Sequence, residues 1–146
     1  MKALIQRVKN AQVCVDNKSI ACINQGILAF IGVQKNDTQE NADKLLHKIL
    51  NYRIFADDNA KMNLSLLDIK GALLLVSQFT LVANTQKGLR PSFSSAASGQ
   101  ISQQLYDYMI EQAQNTTNLT IQSGEFAANM QISLLNDGPV TFNLQC

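Results

Sequence analysis

Two uninterrupted apolar runs, Gly26–Val33 and Ala72–Val76, constrain the fold of this chain most tightly. Gly26-Ile27-Leu28-Ala29-Phe30-Ile31-Gly32-Val33 carries no polar side chain, so it suits a central strand buried on both faces. Other strand signals surround it. Ala3–Val8 reads as a short strand, and Gln12-Val13-Cys14-Val15-Asp16 alternates polar and apolar residues as a half-buried strand does. Asp16-Asn17-Lys18 is a hairpin turn, and Ser19–Asn24 returns along it. Arg53–Ala56, Leu119–Gln122, Met130–Leu135 and Val140–Leu144 complete the strand set.

Two segments switch to the helical period. Asp37-Thr38-Gln39-Glu40 has the form of a capping box, with Asp37 as N-cap and Glu40 reaching back. Ala42, Leu45, Leu46 and Ile49 follow at helical spacing, giving a first helix over Thr38–Asn51. A second covers Gly99–Asn115, with Ile101, Leu105, Tyr108, Met109 and Gln112 on one stripe. Many strands with two helices to cover one face make a layered α/β or α+β architecture, here as a single domain over residues 1–146.

Composition removes several function classes. Net charge is +1, so no long-range field draws a polyanion, and any nucleic-acid contact must be local. Charged residues are only 16% of the chain; 14 Asn and 15 Gln fill the polar surface instead. No targeting segment is expected behind Met1-Lys2, and no apolar run reaches the roughly 18 residues that span a bilayer. Cys14, Cys22 and Cys146 are odd in number and lack CxxC spacing. That usage fits a reduced, cytoplasmic location, with Cys14 and Cys22 as small core residues and Cys146 a loose terminal thiol.

Side-chain catalysis has few candidates. His47 falls beside Lys44 and Lys48, off the apolar stripe of its helix, so a Ser-His-Asp or Cys-His triad has no base. No metal-ligand spacing, GxGxxG or Walker A loop is present, so neither a metal nor a cofactor is expected. Asp57 and Asp58 form a solvated turn with Asn59.

What remains is backbone chemistry at two places. Ser77-Gln78-Phe79-Thr80-Leu81 lies where a buried strand leaves the sheet, and strand ends release N–H groups able to hold an oxyanion. Ser77 and Thr80 add hydroxyls, Gln78 a donor and an acceptor, and Phe79 a face for stacking or for the core. The plainer role for the same residues is to satisfy a strand end. Nearby, Lys87-Gly88-Leu89-Arg90-Pro91-Ser92-Phe93 places two cations and an aromatic in one loop, suited to phosphate and stacking or simply to solvent. The second place is Asn136-Asp137-Gly138-Pro139-Val140-Thr141, between two apolar runs. Gly138 permits close approach to its main chain, and Pro139 has no N–H. Its default form is a hairpin corner with a trans bond, since only about 5–6% of X-Pro bonds are cis.

Taken in order, these segments resemble the D-aminoacyl-tRNA deacylase (D-tyrosyl-tRNA deacylase) family, essentially end to end. The similarity is carried by Met1–Val8, Arg53-Ile54-Phe55, Lys61–Ser65, Ser77–Leu81, Lys87–Phe93 and Asn136–Thr141. One departure is Gly124-Glu125-Phe126-Ala127-Ala128-Asn129-Met130, where family members often carry Arg after the glycine and Gly-Ala-Asp before the methionine. The resemblance implies a β/β/α layered α/β domain, mostly antiparallel with two main helices, assembled as a homodimer. It implies hydrolysis of the ester joining a D-amino acid to the tRNA 3′ adenosine, with glycyl-tRNA as a further substrate and no metal, cofactor or membrane partner. It further implies that Gly138–Pro139 is cis and enters the partner's site. There Ser77, Gln78, Phe79 and Thr80 would form the catalytic segment, and Met130 and Phe93 would join Gly138 and Pro139 in binding substrate. A non-catalytic tRNA-end or nucleotide-binding module, a general Ser/Thr esterase and a purely structural dimer are the competing classes.

Overall fold

A computed structural model describes residues 1–146. The apolar runs become β3 (Gly26–Gly32) and β6 (Ala72–Ser77), which pair in parallel from Gly26↔Ala72 to Ile31↔Ser77. Parallel neighbours need a crossover, and helix α1 (Gln39–Asn51) supplies it. Helix α2 (Gly99–Thr116) does the same between β6 and the parallel strand β7 (Ile121–Ser123). The sheet is therefore mixed. Its antiparallel part is built on β1 (Lys2–Val15), whose first half pairs with β3 and whose second half turns away to pair with β2 (Lys18–Ile23). A separate ribbon joins β4 (Phe55–Ala56) to β5 (Met62–Leu64).

The last strand, β8 (Met130–Gln145), runs antiparallel along the whole of β1, from Lys2↔Gln145 to Val15↔Met130. This corrects the hairpin corner expected at Asn136–Thr141: both flanks of that segment pair with the same strand. Between the pairs Gln6↔Thr141 and Val8↔Asn136, Arg7 alone on β1 faces Asp137, Gly138, Pro139 and Val140 on β8. The excess residues are looped out. A ladder cannot pass through Pro139, which has no N–H.

Strand alternation divides the core into layers. Ile27, Ala29, Ile31, Leu73 and Leu75 face the helices, packing with Leu45, Ile49, Leu105, Tyr106 and Met109. Leu28, Leu74 and Val76 face the opposite way, into a second cluster with Val8, Ala11, Val13, Ala21 and Ile23. The second half of β1 and its partner β2 thus fold over the sheet as a β layer, with the helices on the far side.

Several local expectations shift. Thr38, not Asp37, is the N-cap of α1, and its N–H donates to Asn41 Oδ1 at 2.9 Å. Asp37 is drawn away: its carboxylate accepts from the Gln34 N–H at 2.6 Å and pairs with the Met1 amino group at 2.6 Å. Glu40 pairs with Lys44 instead. On α2 the buried residues are Leu105, Tyr106, Met109 and Ala113, while Ile101 is exposed and the Tyr108 hydroxyl donates to Asp43 at 3.0 Å. Cys22 is exposed and Cys14 half-buried, because Val13, Ala21 and Ile23 hold the inward phase of those strands. His47 is exposed, as its position on the helix face implies. No helix is long and apolar enough to cross a membrane.

Candidate functional site

At the carboxyl ends of β3 and β6 the chain encloses a cavity of about 670 Å³. Crevices at the carboxyl ends of parallel strands are where ligands bind in open α/β sheets. Gln78 makes the last ladder bond, its N–H donating to the Ile31 carbonyl at 2.7 Å. The chain then tightens into a 3-10 turn, Phe79–Val82. The amides of Phe79 and Thr80 begin that turn and donate to no other main-chain group, as the first amides of any helix must.

Ser77, Gln78, Phe79, Phe93 and Met130 all line this cavity. Phe79 and Phe93 form a tilted pair, ring centroids 5.0 Å apart, although Phe79 remains 59% exposed. Phe93 is placed by reciprocal main-chain bonds between Asn84 and Ser92, which close the loop beside it. Lys87 and Arg90 ride out on that loop and do not line the cavity. Thr80 does not line it either. Its Oγ1 accepts from Gln78 Nε2 at 2.7 Å on the exposed side of the turn.

Tyr106 and Met130 also border the cavity. The Tyr106 hydroxyl lies 2.8 Å from the Leu75 carbonyl and 3.1 Å from that of Gly124, tying α2 to the ends of two strands. Burial pushes this phenol well above its ordinary value, so it stays protonated as a donor. Tyr106→Phe removes the only side-chain donor to both carbonyls and should lower stability by about 1–2 kcal/mol in chemical denaturation. Gly124 lies against Met130: a Cβ there would sit 2.6 Å from the methionine sulfur.

No Asp, Glu, His, Lys, Arg or Cys lines the cavity. No group of three or more His, Cys, Asp or Glu side chains is placed to hold a metal ion. The chemistry available is therefore that of neutral hydroxyls, carboxamides, aromatic faces and free main-chain amides.

Gly138 and Pro139 lie outside the cavity of their own chain and are exposed. Their peptide bond is cis, as the resemblance implies and against the general default for an X-Pro bond, and Gly138 has φ +129. Arg7 anchors the segment. Its Nε donates to the Asp137 carbonyl at 3.0 Å and its Nη1 to the Ile54 carbonyl, and Nε stands 3.4 Å from the Asp137 carboxylate. Asn136 Oδ1 accepts from the Val140 N–H at 2.9 Å, closing the loop from within. Sequence reasoning guessed a support of the Gly-Pro turn by Arg7 but missed Tyr106 and the wall formed by Ala127, Ala128 and Asn129. Arg7 gave one usable signal, a cation placed mid-strand with no acidic partner nearby in sequence.

A charge-free cavity with free amides at its rim suits a neutral, partly aromatic substrate group and the oxyanion of an acyl reaction, which fits an ester hydrolase. Residues 4–145 match the family described as D-Tyr-tRNA(Tyr) deacylase. The chain is 62% identical to the D-aminoacyl-tRNA deacylase of Pseudoalteromonas translucida (strain TAC 125) over 99% of both chains. It is 54% identical to the protein of that name in Pseudomonas putida (strain W619), again over 99% of both. Among solved structures, one titled c-Myc DNA Unwinding Element Binding Protein superposes with TM-score 0.96 at 38% identity, covering 100% of this chain and 99% of that one. A probable eukaryotic D-amino acid tRNA deacylase shares the fold alone, with TM-score 0.80 at 16% identity over 98% of each chain. The chain belongs to the D-Tyr-tRNA(Tyr) deacylase family.

Proposed function

We propose that the protein hydrolyses the ester of D-aminoacyl-tRNA, and of glycyl-tRNA, as a homodimer in which each subunit lends its Gly138–Pro139 segment to the other's cavity. The observation that carries this reading is a separation. The cavity beside Phe79 has amides and aromatic faces but no charged group to grip an α-ammonium, while the exposed Gly138 segment lies outside it. A second copy can bring the two together.

In that assembly the terminal adenosine sits against Phe79, Phe93 and Met130. The Gly138 carbonyl accepts a hydrogen bond from the substrate α-ammonium. Main-chain atoms of Gly138 and Pro139 fill the space an L side chain needs, and a D side chain points outward. Glycine has nothing to exclude and is accepted. Water attacks the carbonyl carbon, and the oxyanion is held by the Phe79 and Thr80 amides. The bond to the ribose 3′ oxygen then breaks, the proton from water passing to that oxygen. The neighbouring 2′-OH assists because no side-chain base lines the cavity.

Paired hydrolysis assays with D-tyrosyl-, L-tyrosyl- and glycyl-tRNA test the reading. Turnover of the first and third with the second spared is expected. Binding of D-tyrosyl-tRNA without turnover would leave only a tRNA-end binding module. The working group at Thr80 is its amide, so Thr80→Ala should keep activity within about threefold, while a 2′-deoxy terminal adenosine should slow hydrolysis about tenfold. Complete loss in Thr80→Ala with binding intact would instead make its hydroxyl the nucleophile.

A further inference from the structure

The wall formed by Ala127 to Met130 carries a side chain that the proposed reaction does not use. Asn129 lines the cavity, is exposed, and its carboxamide makes no hydrogen bond within the protein. The cavity's other carboxamide, Gln78, has its Nε2 committed to Thr80 Oγ1 at 2.7 Å. Asn129 is therefore the lining carboxamide whose donor and acceptor atoms are both wholly unengaged. The turn that presents it is unusual. Ala127 adopts φ +61, a left-handed conformation that costs an L residue of this kind free energy, and the turn closes with only a long bond from the Ala128 N–H to the Glu125 carbonyl, 3.4 Å. Strained backbone of this sort persists at sites that hold a ligand group in place.

Resting on the deacylase reading above, we propose that Asn129 is a specificity-determining residue that reads the edge of the substrate's terminal base. Adenine presents an N6 amino donor beside the N7 acceptor, and a carboxamide matches that pair with its oxygen and its NH2. With the base face stacked on Phe79 and Phe93, its edge is the remaining polar surface to satisfy. Asn129 acts on binding: it selects adenine at the tRNA end without touching the ester.

The test uses a hydrolysis-resistant probe, 3′-deoxy-3′-(D-tyrosylamino)adenosine, and its 7-deaza counterpart, which lacks the N7 acceptor. Dissociation constants are measured by calorimetry for the wild type, Asn129→Ala and Asn129→Asp. The wild type should bind the 7-deaza probe about fivefold more weakly, as loss of one hydrogen bond implies. Asn129→Ala should bind both probes equally. Asn129→Asp, whose carboxylate would face the N7 lone pair, should now prefer the 7-deaza probe. Equal binding of the two probes by the wild type overturns the proposal, as does a gap that survives in Asn129→Ala, or no binding of either probe. Hydrolysis of D-tyrosyl-tRNA by the same wild-type sample is measured alongside. Turnover without discrimination between the probes sinks the role of Asn129 alone. Discrimination without turnover sinks the deacylase reading alone.

Discussion

Gly138→Ala should lower kcat/KM for D-aminoacyl-tRNA about 100-fold, a barrier increase of ~2.7 kcal/mol. Two effects combine. At φ +129 an L side chain is strained, and its Cβ would stand 2.7 Å from Val140 Cγ2 and 3.0 Å from Arg7 Nη2. Relief moves the Gly138 carbonyl, and a misplacement of about 1 Å at a reacting centre can cost 10²-fold. Gly138 and Pro139 are exposed, so thermal unfolding should shift far less than activity. Mixed dimers test whether the segment acts across the interface. In the proposed homodimer, Gly138→Ala and Ala128→Trp subunits, the second with its cavity filled, should each keep only about 1% of activity alone and are then co-expressed. If the segment is lent to the partner, purified heterodimers contain one site with both parts intact and recover about half the wild-type activity per dimer. If it acted within its own chain, no site would be intact and the mixture would stay at that low level.

Arg7→Ala should be the next most damaging change, and it should damage stability and activity together. The guanidinium side chain is only 14% exposed and joins Ile54, Asp137 and the Asp137 carboxylate through one rigid fork. Its removal leaves two carbonyls without that donor and Asp137 with only Lys9, 3.9 Å away. A loss of about 2–3 kcal/mol in chemical denaturation is expected, as for hydrogen bonds from a charged donor. Single-turnover hydrolysis well below the unfolding temperature should still fall at least about tenfold, because only the long, exposed Lys9 pair is left to hold Asp137 opposite β1. Arg7→Lys should not restore it: a single ammonium on a flexible stem cannot hold both carbonyls. A variant that loses stability but keeps full hydrolysis at low temperature would make Arg7 a structural anchor only.

The parts of the fold that were legible in sequence are those governed by local period. Gly26–Val33 and Ala72–Val76 became the buried parallel pair, and the first helix ends where its stripe of Ala42, Leu45, Leu46 and Ile49 ends. Errors arose where long-range pairing decides. The residues of β8 look like two strands and a turn because Pro139 interrupts the apolar pattern, yet β1 continues past the gap and pairs on both sides. Asp37 was drawn from its capping role by a partner 36 positions away, which no local rule can see. At the site, Ser77, Gln78, Phe79, Phe93 and Met130 do converge on one cavity, while Thr80 turns outward and Gly138 and Pro139 stand elsewhere. Tyr106 was invisible for a simple reason: its neighbour Tyr108 fits the helical stripe as well as it does, and only the tertiary carbonyls at Leu75 and Gly124 distinguish them.

Because β1 pairs along its whole length with β8, residue 2 finds its partner at residue 145. During synthesis this leaves β1 with a bare edge until residues 130–145 have left the ribosome, since its own neighbours β2 and β3 cover only the other side. Such an edge is a template for pairing with another nascent chain. Chain closure is thus a late event, and growth conditions that stall or truncate translation should yield aggregates rather than a shortened native protein.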